Sequence, residues 1–281
     1  MSKKSYCKRF IVEPGKKFAL QDIDPASKDG HVNKAAAEEE IADCAQRLRE
    51  LQYLLYAENR RSLLIILQGL DAGGKDGTIR HVLGYMNPQG CRVQAFKQPT
   101  ADEAAHDFLW RAHRATPARG EVAIFNRSHY EDVLVVRVHE LVPKAQWKAR
   151  YEHINAFERL LEANGTHILK FFLHISPEEQ LRRFKQRLDD PNRWWKISEA
   201  DYNERLYWDE YQRAYEDTLN HCSTQHAPWF VIPADHKWFR NLAVSSIVVE
   251  TLEALQMSFP EPHVDIDTIR RKYHQIAHEK P

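Results

Sequence analysis

The sequence predicts an α/β fold, a five-stranded parallel sheet with helices on both faces. Three observations lead there. Five short apolar runs alternate with stretches of helical periodicity, a glycine-rich loop joins the first run to a helix, and polar clusters stand where apolar runs end.

Residues 1–33 are read as an extended N-terminal arm, because "EPGKKFALQDIDPASKDGHVN" (Glu13–Asn33) is rich in Pro, Gly, Asp and Lys and lacks sustained periodicity. The next stretch, Lys34–Glu58, sets Ile41, Leu48, Leu51, Leu54 and Leu55 at helical spacing, an apolar stripe that most simply packs on the core, with contact between copies of the chain as the alternative. Strands are expected at Leu63–Gln68, Cys91–Phe96, Glu121–Asn126, His167–Ile175 and Trp229–Pro233. Helices are expected from about Lys75, Asp102, His129, Ala145, Pro177 and Ala200, and one from His236 to Met257. This organisation gives a single domain over residues 34–260, with a mobile lid at about 178–200, and a loosely attached tail over 261–281.

Hydrophobic residues make up 43% and charged residues 28% of the 281, an ordinary balance for a globular chain. Lys plus Arg and Asp plus Glu number 40 each, so a polyanion site must come from local clustering and not from an overall basic field. Cys7, Cys44, Cys91 and Cys222 are scattered, which reads as reduced thiols in a cytoplasmic protein. The start has no apolar core of a signal peptide, and no run is long enough to span a bilayer, so neither export nor a membrane partner is expected. No recognised nucleic-acid module accompanies the basic stretches.

Between the first strand and its helix stands "QGLDAGGKDGT" (Gln68–Thr78). Gly69, Gly74 and Lys75 follow the phosphate-binding pattern G-x-x-x-x-G-K-[ST] up to its last position, where Asp76 replaces the hydroxyl. Ala72, Gly73 and Gly74 let backbone N–H groups turn inward, the helix N-terminus adds its positive end, and Lys75 supplies a point charge. Thr78 lies two residues on and points to another side of the helix, so it cannot take the missing hydroxyl's place. Gly77 costs about 1 kcal/mol relative to Ala inside a helix, which suggests crowding there by a ligand or backbone. Asp76 could simply cap its helix. Alternatively, Asp71 and Asp76 attract phosphate that arrives with Mg²⁺, an oxygen-seeking ion held by one or two carboxylates plus phosphate oxygens.

The third strand ends in "NRSHYED". Asn126 holds the place where such enzymes often put a metal-binding Asp, and Arg127 could clamp a transferring phosphoryl group. Ser128 and Glu131 are expected to form a capping box. Further on, Ser176 and Pro177 open a helix carrying Arg182, Arg183 and Arg187, with Arg193 and Lys196 beyond it. Such a run is either a solvated face or a lid closing over phosphates. Trp194 and Trp195 could pack the closed lid or belong to the core. Asp235, Lys237, Trp238 and Arg240, after the last strand, could contribute to a nucleotide pocket.

"LQGLDAGGKDGTIRHV", "VAIFNRSHYEDVLVVRV", "ILKFFLHISPEEQLRRFKQRLDDP", "LYWDEYQRAYED" and "APWFVIPADHKWFRN" together resemble the polyphosphate kinase 2 family, from about Phe10 to Pro260. The resemblance implies a P-loop kinase fold similar to thymidylate kinase, a mobile lid, and Mg²⁺-dependent phosphoryl transfer between inorganic polyphosphate and nucleotides. Asn126 and Glu131 resemble the class III branch, whose members phosphorylate both AMP and ADP. The family often has Asp where Asn126 stands, which shifts metal holding onto Asp71 and Asp76. The function expected is reversible transfer from polyphosphate to AMP and ADP, giving ADP and ATP, by an assembly of identical chains. Two other readings stay open: an ATP-dependent nucleoside or nucleotide kinase on the same fold, and a binding module without turnover.

Overall fold

A computed structural model describes residues 5–277. The first four residues of the arm and the last four of the tail lie outside them. Five strands, β1 (Ser62–Gln68), β2 (Cys91–Ala95), β3 (Val122–Asn126), β4 (Thr166–His174) and β5 (Trp229–Pro233), form one parallel sheet in the order β2-β3-β1-β4-β5. Every residue of β1 is buried, as a central parallel strand covered on both faces requires. Alternate residues feed opposite layers: Leu63, Ile65 and Leu67 join one core, Leu64 and Ile66 the other.

Twelve α-helices are described. They are α1 (Tyr6–Phe10), α2 (Glu38–Glu58), α3 (Lys75–Leu83), α4 (Ala101–Ala104), α5 (Trp110–Arg114) and α6 (Val135–Val138), followed by α7 (Lys144–Ala163), α8 (Pro177–Leu188), α9 (Glu199–Glu204), α10 (Trp208–Cys222), α11 (Lys237–Ala254) and α12 (Ile266–Ala277). Leu48, Leu51 and Leu55 of the α2 stripe are buried in the core shared with α11, as expected. No described helix is long and apolar enough to cross a membrane.

Several expectations need correction. The arm is not uniformly extended: Leu20–Asp22 makes a 3-10 turn. The arm also adheres to the sheet, with Ile11 bridging Phe230 and the Val12 amide donating to the Trp229 carbonyl at 2.8 Å. The helix expected from Asp102 is two short helices, separated where Asp107 accepts from the Leu109 amide. The stretch from His129 begins as a 3-10 turn, His129–Asp132.

That turn is pinned from below. Tyr130 Oη donates to Glu158 Oε1 at 2.8 Å and accepts from Lys170 Nζ at 2.8 Å, while Lys170 and Glu158 pair at 2.5 Å, all fully buried. Such a pair keeps its charges only because hydrogen bonds satisfy both partners.

The chain leaves β1 toward the β2 side and leaves β3 toward the β4 side. Their carboxyl ends are neighbours, with Leu67 opposite Asn126, so the two following turns emerge side by side.

Candidate active site

The loop after β1 bends through Ala72 at φ 60° and Gly74 at φ 106°, both left-handed, and Lys75 begins α3. Lys75 Nζ donates to the Gly69 carbonyl at 2.6 Å and the Leu70 carbonyl at 3.3 Å. Desolvation under the loop, aided by the nearby Arg127 guanidinium, pushes the Lys75 ammonium down to about 8. Thr78 Oγ1 turns back to the Gly74 carbonyl at 3.2 Å and is buried, away from the mouth of the loop.

Two arginines back this loop. Arg183 Nη1 donates to the Ala72 and Gly73 carbonyls, and its Nη2 to those of Ala234 and Asp235, bolting the loop to the end of β5. Glu179 accepts from Arg183 Nε at 2.7 Å. Arg183 therefore departs from the lid expectation: it faces inward with Gln180 and Phe184 and is 5% exposed. Arg240 lies against the loop from α11 and explains Gly77. A Cβ on Gly77 would stand 3.0 Å from Arg240 Nη2, and one on Gly74 only 1.8 Å from Nη1. The crowding comes from a side chain, not from backbone.

At the end of β3, Asn126 Nδ2 donates to Asp76 Oδ1 at 2.9 Å, and Arg127 Nη2 to Asp71 Oδ1 at 2.7 Å. Arg127 sits at φ 60°, a left-handed conformation that a long side chain rarely adopts, and its other guanidinium nitrogen lies 3.8 Å from Glu131. Burial alone would lower its basicity; Glu131 and Asp71 outweigh burial and raise it. The capping box is half made. Ser128 Oγ accepts from the Tyr130 amide, but Glu131 Oε1 accepts instead from Gln68 Nε2 at 3.0 Å. Gln68 ends β1, so this contact draws the Glu131 carboxylate over the crevice.

The remaining cations of the expected lid divide. Arg182 pairs with Glu179 and Arg193 with Asp190 at 2.9 Å, both local contacts, while Arg187 joins α8 to α9 through Asp201 at 2.9 Å. Lys196 reaches toward the loop, 4.0 Å from Asp76. Trp194 and Trp195 are exposed, so neither belongs to the core.

Other residues complete the crevice without having been singled out in the sequence. Gln180 Nε2 donates to the Asp71 carbonyl, and Arg205 donates to Gln180 Oε1 at 2.7 Å. Asp201, Glu204 and the aromatics Trp208, Tyr211 and Tyr215 line the same hollow as Asp71, Arg127 and Glu131. Tyr211 and Tyr215 stand four apart on α10, and this aromatic stripe, directed to one face of a helix following the lid, was their sequence signal. Across the loop, a second hollow between α3 and α11 collects Lys34, His81, Arg182, His236 and Lys237 around Trp238, with Asp235 also in its wall.

No group of three or more His, Cys, Asp or Glu among the described residues gathers into an all-protein metal site. The donor chemistry does fit a shared one. Asp71 keeps one carboxylate oxygen beyond its Arg127 contact, and the Asp76 side chain is 73% exposed at the mouth of the loop. Mg²⁺ commonly takes one or two such carboxylates and completes its shell with phosphate oxygens and water.

A family model described as "Polyphosphate kinase 2 (PPK2)" matches residues 31–260. The AMP/ADP-polyphosphate phosphotransferase of Meiothermus ruber is 51% identical over 263 residues, 93% of this chain and 98% of that one. The ADP-polyphosphate phosphotransferase of Rhodopseudomonas palustris is 47% identical over 266 residues, 90% of this chain and 92% of that one. The crystal structure of Polyphosphate Kinase 2 from Arthrobacter aurescens TC1 superposes with a TM-score of 0.93 at 42% identity, covering 97% of each chain. The expected P-loop kinase fold is thus the observed one, and the chain belongs to the polyphosphate kinase 2 family.

Proposed function

We propose that the chain transfers the terminal phosphoryl group of inorganic polyphosphate to AMP and then to ADP, giving ADP and ATP, reversibly. The observation that carries this reading is the joining of two strand ends, Asp71 to Arg127 and Asp76 to Asn126, over a phosphate-binding loop. Support comes also from relatives matched over more than nine-tenths of their length and named for AMP/ADP or ADP phosphotransfer with polyphosphate.

An acceptor phosphate is already ionised near neutral pH, so positioning and charge neutralisation dominate over proton removal. A terminal oxygen of AMP or ADP attacks the end phosphorus in line; the bridging P–O bond breaks and the shortened chain leaves with its electron pair. Lys75 and the loop amides hold donor phosphate. Arg127, fixed by Asp71, neutralises charge on the group in flight. The hollow with Tyr211, Tyr215 and Trp208 suits a nucleotide, because rings and mixed charges can face a base and ribose. The hollow across the loop, where Lys34, Arg182 and Lys237 outnumber Asp235, suits the body of a polyanion. Asp71 and Asp76 would hold Mg²⁺, which when bound would supply positive charge to offset that of the phosphates. The segment around Lys196 closes over the loop and excludes water, a competing acceptor.

The nucleotide substrates put this activity in the cytoplasm. Exposed Ile266, Ile269, Tyr273 and Ile276 form a stripe on α12 that supports an assembly of identical chains. The test of function is incubation of the pure protein with long-chain polyphosphate, Mg²⁺ and AMP, resolving nucleotides over time. ADP followed by ATP is the expected course. No product from polyphosphate, with product from ATP as donor, would replace this reading with an ATP-dependent kinase; tight binding without turnover would replace it with a binding module.

A further inference from the structure

Arg240 is a buried cation with no acidic partner. It is 2% exposed, yet among the described residues no carboxylate lies within ion-pair distance of its guanidinium. Its hydrogen bonds go to neutral groups: Nε and Nη2 to Asn241 Oδ1 at 3.1 and 2.8 Å, and Nη1 to the Gly73 carbonyl at a marginal 3.5 Å. Arg183, its charged neighbour, has Glu179 beside it; Arg240 does not share that carboxylate. Burial and the like charge of Arg183 together push the Arg240 guanidinium down to about 9.

A buried charge without a counter-ion is strongly unfavourable, and side chains in that state are rarely retained for stability. The position of this one is informative. Its nitrogens press on Gly74 and Gly77, the two glycines flanking Lys75 and Asp76. Two glycines thus clear space for a cation that the fold itself leaves unneutralised. The next residue, Asn241, is part of the wall of the hollow between α3 and α11.

We propose that Arg240 is a donor-binding residue: its guanidinium is the fixed countercharge for a phosphate of the polyphosphate chain at the loop, completing its charge balance on binding. This rests on polyphosphate being the donor. A guanidinium suits the task because it stays protonated near neutral pH and can present two N–H groups to phosphate oxygens.

The test compares wild type with Arg240→Met, which keeps the stem and removes the charge, and Arg240→Lys, which keeps the charge. Thermal melting is followed with and without sodium tripolyphosphate, and KM and kcat are measured with long-chain polyphosphate and AMP. Without phosphate, Arg240→Met is expected to melt at or above the wild-type temperature, because an unpaired buried charge has gone. It is expected to lose most of the tripolyphosphate-induced rise and to show a KM for polyphosphate raised roughly tenfold or more, the scale of a charge-assisted hydrogen bond. Arg240→Lys should recover part of both. An Arg240→Met variant that melts well below wild type, or one that keeps the full phosphate response, overturns the proposal and makes Arg240 a packing strut. A wild type that ignores tripolyphosphate but responds to ATP instead defeats the polyphosphate reading itself.

Discussion

Arg127 Nη2 donates to Asp71 Oδ1 at 2.7 Å, tying the turn after β3 to the loop after β1. Both residues come from neighbouring strand ends, so this bond fixes the guanidinium over the crevice before any substrate arrives. Asp71→Asn keeps the shape but weakens the tie and removes the charge. Its kcat/KM for AMP phosphorylation should fall by about 100-fold or more, the scale seen when one preorganised charge contact is lost. Arg127→Lys should fall comparably, and the double variant should lose far less than the product of the two. Full multiplicativity in a double-mutant cycle would show that the residues act independently.

Lys75 carries a pH signature. Its folded-state value is pushed down to about 8 from an ordinary 10.5, so between those values the unfolded chain holds a proton that the folded one has released. Lys75 therefore opposes folding below about pH 8, and this penalty fades as pH rises toward 10.5. Lys75→Met should melt higher than wild type at pH 7, with the gap narrowing by pH 9.5. Tripolyphosphate binding should show the opposite trend in wild type, weakening above pH 8 as the ammonium is lost, while Lys75→Met binds weakly at every pH. Calorimetry at several pH values reads both.

The two crowded glycines should behave differently. A Cβ at Gly74 would stand 1.8 Å from Arg240 Nη1 at a backbone φ of 106°, whereas one at Gly77 meets Nη2 at 3.0 Å in helical backbone. Gly74→Ala should abolish measurable transfer and lower the melting temperature. Gly77→Ala should fold normally, since Ala favours a helix by about 1 kcal/mol, and should raise the polyphosphate KM by roughly threefold through displacement of the guanidinium. Equal behaviour of the two variants would contradict this geometry.

The expected lid offers an optical reporter. Trp195 is 78% exposed, and Lys196 Nζ lies 4.7 Å from the centre of its ring. Closure over donor and acceptor should bury the indole and shift its emission to the blue, a change that disappears in Trp195→Phe. An unchanged spectrum with both substrates bound would show that this segment stays open during turnover.

The strands were legible because parallel strands covered on both faces must be apolar throughout, as β1 is. The loop was legible for a related reason: glycines, a lysine and carboxylates at a strand end have few structural uses. The basic helix was harder. Arg182 and Arg183 are adjacent in sequence but about 100° apart around α8, so one meets solvent and the other the loop. Phe184 marked the inner face, and Glu179, Gln180 and Arg183 share its side at helical spacing. Gly77 was recognised as crowded, but its neighbour Arg240 lies far along the chain and only the packing of α3 on α11 brings them together. Glu131 illustrates a true conflict: the local capping pattern was present, but the amide of Gln68 offered a better partner across the sheet.

Arg183 shares its guanidinium among the carbonyls of Ala72, Gly73, Ala234 and Asp235. Helix α8 therefore starts as part of the scaffold, and lid closure is expected only beyond the residues this arginine clamps. A hinge for the expected lid is predicted near Leu188, where α8 gives way to Asp189 and Asp190. Residues 189–207 then form an exchangeable part: grafting that segment from another family member should retune acceptor choice and closing speed while the cradle for the donor is left as built.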